Sequence, residues 1–250
     1  MGRKIVAVLF LINIAFTSIF FFLGAFVLRI VTFCFDPKLR ILHLYTCFWG
    51  SYYIWTFKSW RYKVNGKENI ERSKTYVIVS NHQSQLDILI AFTTFIHFKW
   101  VSKIEVFNLP LIGWNMLLNR YIRLRRGDKK SISRMMRDAR RTLKSGSSVY
   151  IFPEGTRSAT GILRKFKPGA FILAKELNLP ILPIVINGTI KALPKYRIEY
   201  RGFHDMILEI LPPVLPHEFK KMSVEELSEY IRGLIASKVE AHVEGGLTDL

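Results

Sequence analysis

From Ile5 to Leu28 the chain carries no charged residue, and Asn13 is the most polar side chain in the run. At ~1.5 Å per helical residue, roughly 24 residues are enough to cross a ~30 Å hydrocarbon layer. Arg3 and Lys4 precede the run as they would a secretory signal. The run is too long for one, however, and Phe26-Val27-Leu28-Arg29 offers no small-residue cleavage site. Asp36-Pro37 then ends the helix, because proline excludes its predecessor from helical geometry. A second segment, Leu39 to Trp60, is dense in aromatics, among them Tyr45, Trp49, Tyr53 and Trp55. Such residues favour the headgroup boundary over the bilayer centre. Positive charges lie before the first segment, between the two (Arg29, Lys38, Arg40) and after the second (Lys58, Arg61, Lys63). Moving any of these loops across a membrane opposes the positive-inside bias, so residues 1–60 read as a membrane-embedded two-helix hairpin dipping into one leaflet from the cytoplasmic side. Two full spans are the competing topology. Removing the residues before about Trp60 is expected to release the remainder from membranes.

Beyond Trp60 the pattern changes to short apolar runs separated by helical periodicities. Strands are expected at Tyr76–Ser80, Lys99–Ser102, Tyr121–Leu124, Ser148–Phe152 and Ile181–Ile186, with a late pair near Arg197–Tyr200 and Met206–Ile210. Ile132, Met135, Met136, Ala139 and Leu143 recur at helical spacing and stop at Gly146, a C-terminal cap. Ser223-Val224-Glu225-Glu226 is a capping box before a last helix that turns Leu227, Tyr230, Ile231 and Leu234 inward. Residues 61–250 therefore read as one α/β domain, a mixed, largely parallel sheet flanked by helices, with ligand chemistry at strand ends. No repeat, low-complexity tract or inter-domain linker interrupts it.

Composition adds two constraints. Lys and Arg total 37 against 19 Asp and Glu, a formal charge of +18, which draws the chain toward polyanions such as an anionic leaflet, nucleic acid or an acidic protein. The nucleic-acid reading is the weaker one, since the charges form no recognition helix and the aromatics concentrate in the first third. The basic face of Arg134, Arg137, Arg140, Arg141 and Lys144 suits an acidic carrier protein or anionic lipid, or is simply solvated. Cys34 and Cys47 are the only cysteines, which excludes a disulfide framework and a cysteine-rich zinc site.

Candidate chemistry sits where apolar runs end. Asn81-His82-Gln83-Ser84-Gln85-Leu86-Asp87 follows the first of the strands, and His82 alone of the six histidines has an acid closely behind it at a loop-to-helix boundary. In one continuous helix these side chains would point apart, whereas a strand end turning into a helix at Leu86 folds Asp87 back onto His82. A neutral imidazole so held can take a proton from a hydroxyl. The plainer reading has Asn81 and Ser84 capping the helix and His82 satisfying a backbone carbonyl. Phe152-Pro153-Glu154-Gly155-Thr156-Arg157-Ser158 ends another strand. Gly155 permits a tight turn whose amides face an anion, Thr156 adds a hydroxyl, and Arg157 offers the planar fork that suits phosphate oxygens. Glu154 either joins that anion site or acts structurally, for example by holding Arg157. Lys103, Lys167 and the block Arg123-Leu124-Arg125-Arg126 bring further cations to strand ends and to the start of a helix. The chain has no nucleophile-elbow serine motif, Walker loop, dinucleotide glycine fingerprint or zinc-binding His-Glu-x-x-His. Asn187-Gly188-Thr189 matches a glycosylation sequon that this topology would place in the cytosol.

Taken in order, Asn-His-x4-Asp at 81–87, the arginine block at 123–126, Phe-Pro-Glu-Gly-Thr-Arg-Ser at 152–158 and Leu-Pro-Ile-Leu-Pro-Ile at 179–184 closely resemble the 1-acyl-glycerol-3-phosphate acyltransferases of the glycerolipid acyltransferase superfamily. The likeness covers nearly the whole chain, and Lys103 and Phe166-Lys167-Pro168-Gly169 also match family habits. It departs at 123–126, where Arg123, Arg125 and Arg126 compete for a place usually held by one arginine; Arg126 is favoured. The resemblance implies transfer of a fatty acyl group from acyl-CoA or acyl carrier protein to the free hydroxyl of a lyso-phospholipid acceptor, giving phosphatidic acid, at the cytoplasmic face of a membrane such as a bacterial inner membrane. It implies His82 and Asp87 as the catalytic pair, and Arg126, Glu154, Gly155, Thr156 and Arg157, helped by Lys103 and Lys167, as the phosphate site. No cofactor or metal is expected beyond the thioester co-substrate. The rivals are an acyltransferase for another lyso-lipid or for glycerol 3-phosphate, and a non-catalytic basic membrane-binding protein.

Overall fold

The computed structural model describes residues 2–194 and 202–240. Helix α1 (Gly2–Val31) is followed by α2 (Arg40–Thr56), and the two pair antiparallel. Phe21 stacks on Trp49 at 5.6 Å, Ser18 Oγ lies 3.0 Å from the Tyr53 hydroxyl, and Phe10 meets Trp60 edge-on. Leu39, at the entry to α2, has a left-handed backbone and provides no side-chain cap. Asp36 replaces the cap, its two carboxylate oxygens accepting from the amides of Arg40 and Ile41 at 2.9 and 2.8 Å.

Seven strands follow, β1 (Trp60–Asn65), β2 (Val77–Ser80), β3 (Phe98–Lys103), β4 (Ile122–Leu124), β5 (Ser148–Ile151), β6 (Ile181–Asn187) and β7 (His204–Ile210). They form one sheet in the order β1-β7-β6-β2-β5-β3-β4. Every pairing is parallel except β6 with β7, so the expected mixed, largely parallel sheet is present. The central strands are buried throughout, which is why they read as continuous Val/Ile runs rather than alternations. Strand β1 went unnoticed in the sequence because it continues the aromatic segment. Arg197–Tyr200 lies outside the described residues.

Two helical layers sandwich the sheet. Helices α2 and α3 (Leu86–Phe92) cover the face carrying Ile78, Phe98 and Trp100, and α4 (Ile112–Leu118) joins that side. Helices α5 (Lys129–Lys144), α6 (Gly169–Leu177) and α9 (Val224–Ala236) cover the face carrying Val77, Val79 and Val149. The short α7 (Thr189–Ala192) and α8 (Pro216–Phe219) are the remaining α-helices among the described residues. Asp128 caps α5, and Ser223 with Glu226 forms the expected capping box on α9.

Helix α2 belongs to this core more than its aromatic content suggests. Cys47 and Ile54 are buried with Ile90 and Phe98, and His43 bridges the Tyr121 hydroxyl and the Ile96 carbonyl, both at 2.9 Å. At Gly50 the helices approach so closely that a Cβ would stand 2.4 Å from the Phe92 ring. Helix α2 and the sheet thus share one core, across the boundary expected at residue 60. The outer face of α1 is different: Leu9, Ile12, Phe16, Phe20, Leu23, Val27 and Ile30 are all exposed. Val8–Val31 is the one helix among the described residues long and apolar enough to cross a membrane.

Cutting the chain at Trp60 would uncover Ile90, Phe92 and Phe98, each worth about 1.5–3 kcal/mol of burial. The structure therefore changes the truncation expected above. A chain beginning near Leu39 should keep a cooperative thermal transition, whereas one beginning at Trp60 should lose it; equal melting of the two would contradict the shared core.

Candidate active site

Strands β2 and β5 lie side by side at the centre of the sheet, and their chains leave in opposite directions. β2 leads to α3 on one face, β5 to α6 on the other. Open α/β sheets form a ligand crevice at such a reversal, outside the carboxyl ends of the strands. His82 follows β2 and the Glu154–Ser158 loop follows β5.

Because β2 ends at Ser80 and α3 begins only at Leu86, the intervening turn brings Asp87 back to the histidine. Asp87 Oδ2 accepts from His82 Nδ1 at 2.8 Å and from the amides of Gln83 and Ser84 at 2.6 and 2.8 Å. Oδ1 accepts from the Thr189 hydroxyl at 2.5 Å. The carboxylate is wholly buried, so these four donors replace water. An acceptor at Nδ1 places the ring proton there and leaves Nε2 as the basic nitrogen. The ring is flanked by Phe152, stacked at 3.9 Å and 12°.

The β5 loop holds the histidine by its backbone. Its amide donates to Glu154 Oε1 at 2.7 Å and its carbonyl accepts from the Ser158 amide at 2.8 Å. The other Glu154 oxygen accepts from the Arg164 amide at 3.0 Å. Glu154 was expected in the phosphate site, or holding Arg157; its carboxylate instead turns to these two amides, and Glu154 does not line the cavity onto which His82 opens. Burial pushes its pKa up to about 7, against the two amides that pull it down. Asn81 ties the same turn to β6 through reciprocal hydrogen bonds with the Ile186 backbone, both 2.8 Å.

His82 opens onto a cavity of about 800 Å³. Lys103, Arg126, Gly155, Thr156, Arg157 and Lys167 all line it. Of the three arginines in the 123–126 block, only Arg126 reaches the wall; the Arg123 guanidinium sits over the Phe107 ring. Burial lowers the Arg126 pKa and Arg157 adds to that, with Glu105 opposing. Lys103 is 3.4 Å from Glu105, on the exposed side. Gly155 has φ +72, and a Cβ there would stand 2.8 Å from the Lys167 side chain, so a glycine serves both the turn and the close approach of Lys167. The deeper wall is apolar, from Trp49 and Gly50 of α2, Leu89 and Phe92 of α3, and Met116 of α4. Thr189 is the residue that sequence reading missed: its hydroxyl lay inside an apparent sequon, and only the end of β6 carries it to Asp87.

Residues 61–187 match the family model described as Acyltransferase, and the chain belongs to the acyltransferase family. A chloroplastic protein of Arabidopsis thaliana named a 1-acyl-sn-glycerol-3-phosphate acyltransferase is 41% identical over 64% of this chain and 45% of its own. One of that name from Saccharomyces cerevisiae is 35% identical over 68% of this chain and 57% of its own. The matched stretch thus spans about half the length of the curated relatives. The crystal structure of a 1-acyl-sn-glycerophosphate acyltransferase from Thermotoga maritima covers 95% of this chain and 96% of its own, with 27% identity and a TM-score of 0.76.

Two substitutions test the supports around His82. Glu154→Gln supplies one oxygen for two amides and should lower kcat much more than it raises any KM. Thr189→Val removes one donor from a buried carboxylate, a loss of about 1.5–3 kcal/mol, and should lower the melting temperature by several degrees while costing kcat about tenfold or more at a temperature where the variant stays folded. Steady-state kinetics showing wild-type kcat in both variants would mean that neither residue positions the histidine.

Proposed function

We propose that the chain transfers a fatty acyl group from a thioester to the free hydroxyl of 1-acyl-glycerol 3-phosphate, releasing the thiol and forming phosphatidic acid. The observation that carries this is the join of a carboxylate-held histidine to a cavity with cations at its rim and apolar walls behind them. Nε2 takes the hydroxyl proton as the oxygen attacks the thioester carbonyl. Asp87 stabilises the imidazolium, which then protonates the departing thiolate. Arg126 and Arg157, with Lys103, Lys167, the Thr156 hydroxyl and the turn at Gly155, hold the acceptor phosphate. The donor, acyl-CoA or acyl carrier protein, is a co-substrate, and the reaction draws on no cofactor. The names of the relatives support the acceptor. The apolar wall favours an acceptor that already carries an acyl chain over bare glycerol 3-phosphate.

The same reading places the protein on one leaflet of a membrane, with the exposed face of α1 in lipid and α2 between α1 and the sheet. The α1–α2 connection supports this, because it packs on the α/β domain. The Lys38 carbonyl accepts from His97 Nε2 at 3.2 Å, and the Lys38 side chain lies against Gly146. Two full spans would carry that connection to the far side of the bilayer. The relatives come from chloroplast, yeast and bacteria alike, so they do not single out a bacterial inner membrane.

Purified protein given a labelled acyl thioester and a panel of lyso-lipids and glycerol 3-phosphate should form phosphatidic acid fastest; a different preferred acceptor, or no transfer, would refute the assignment. His82→Ala should cut turnover ~10²–10⁴-fold with the fold intact. Arg157→Ala should raise KM for lysophosphatidate far more than for the donor, and Arg157→Lys should restore it only in part, lacking the bidentate fork. With exposed Cys34 changed to serine and buried Cys47 kept, cysteines placed at Gly2, Lys38 and Lys63 should all react with a membrane-impermeant thiol reagent from the cytoplasmic side. A Lys38 site reached only from the opposite face would contradict the one-leaflet arrangement.

A further inference from the structure

Helix α5 carries a charge pattern that the catalytic site does not use. Lys130, Arg134, Arg137, Arg141 and Lys144 follow one another at intervals of four, three, four and three residues, and all five are exposed. That spacing sets them in a single stripe along the helix. The buried positions Ser131, Met135, Ala139 and Leu143 occupy the opposite side, so the stripe points straight away from the core. Its span is about 20 Å at 1.5 Å per residue. The neighbouring Arg140 is held by Glu176 through two bonds of 2.6 and 2.7 Å, and Asp138, 3.8 Å from Arg137, is the one acid on the helix. Asp138 is the one acid within a turn of Arg134, Arg137 and Arg141, so the row presents a surplus of positive charge to solvent.

Two features say what kind of partner this surface suits. Helix α5 lies on the sheet face opposite α2, α3 and the exposed apolar side of α1, so the stripe and the lipid-facing surface belong to opposite layers. The helix also lends Ile132, Met135 and Met136 to the cavity wall from its inner side, so what docks on its outer side is separated from the cavity by the width of one helix. A row of five cations over about 20 Å is longer than the pyrophosphate and 3′-phosphate of a coenzyme A need, and matches an extended acidic protein surface instead.

We propose that the α5 stripe is the docking surface for an acidic acyl carrier protein, which delivers its thioester through a flexible arm past Ile132 into the cavity. This rests on the acyltransferase reading above and adds to it the place where the donor protein binds. Electrostatic steering along the stripe raises the encounter rate with the carrier and makes that rate fall with salt.

The test uses the full chain on phosphatidylcholine vesicles holding lysophosphatidate, with palmitoyl carrier protein and palmitoyl-CoA as parallel donors. The triple variant Arg134→Glu/Arg137→Glu/Arg141→Glu should raise KM for the carrier-bound donor by about tenfold or more, since like charges now meet across the interface. KM and kcat with palmitoyl-CoA should stay within about twofold, as the cavity and its catalytic groups are untouched. Should charge reversal impair folding, the neutral variant Arg134→Gln/Arg137→Gln/Arg141→Gln should show the same selective rise at smaller size. In the wild type, kcat/KM should fall more steeply with salt for the carrier than for the CoA donor. An equal rise for both donors would assign the stripe to coenzyme A phosphates. Detachment from anionic vesicles with proportional loss for both donors would assign it to the membrane. Either result, or an unchanged carrier KM, overturns the proposal while leaving the acyl-transfer reading in place. Absence of transfer from either donor in the wild type would overturn both.

Discussion

A single buried carboxylate organises the centre of this protein. Asp87 is removed from water and takes hydrogen bonds from an imidazole, two consecutive amides and a hydroxyl on another strand end. Losing any one would leave a buried polar group unpaired, at about 1–3 kcal/mol. The arrangement needs β2 and β6 to be adjacent, so that Thr189 follows β6 beside the turn that follows β2. It needs β5 on the other side, so that Glu154 and Ser158 hold the His82 backbone. The order of the three central strands, β6-β2-β5, is thereby tied to the orientation of one ring.

The two faces of the sheet divide the remaining work. On one, α2 closes the apolar end of the cavity and offers α1 a surface to pack on, leaving the outer side of α1 exposed and uniformly apolar. On the other, α5 turns its hydrophobic residues inward and a row of cations outward. The cavity runs between these layers, with its cations at strand ends and its apolar wall toward α2. An amphiphilic acceptor and a long apolar donor chain meet the histidine from surroundings that match each part of them.

Much of this was legible from residues alone, for physical reasons. Strands buried on both sides appear as unbroken Val and Ile runs, and the helix of α5 shows its period because one side packs and the other is charged. The break between Ser80 and Leu86 signalled that Asp87 could turn back to His82. Glu154 was harder to read, because its neighbours Gly155 and Arg157 suggest an anion site, while the amides it satisfies belong to His82, 72 residues away, and to Arg164, 10 residues on. Thr189 gave no signal, since its partner lies 102 residues away and is set by sheet order. α2 was misleading in the same manner: its aromatics fit a lipid boundary, yet Gly50 and the fully buried His43 dock it onto α3 and β3.

If Asp87 acts through His82 alone, its contribution should vanish once the ring is gone. Turnover measured for His82→Ala, Asp87→Asn and the double variant tests this directly, because groups that work as one unit are strongly non-additive. The double variant should be no slower than His82→Ala within about twofold. A double variant slower by the product of the two single losses would show that Asp87 serves the reaction independently of the histidine, and the account of the site would fall.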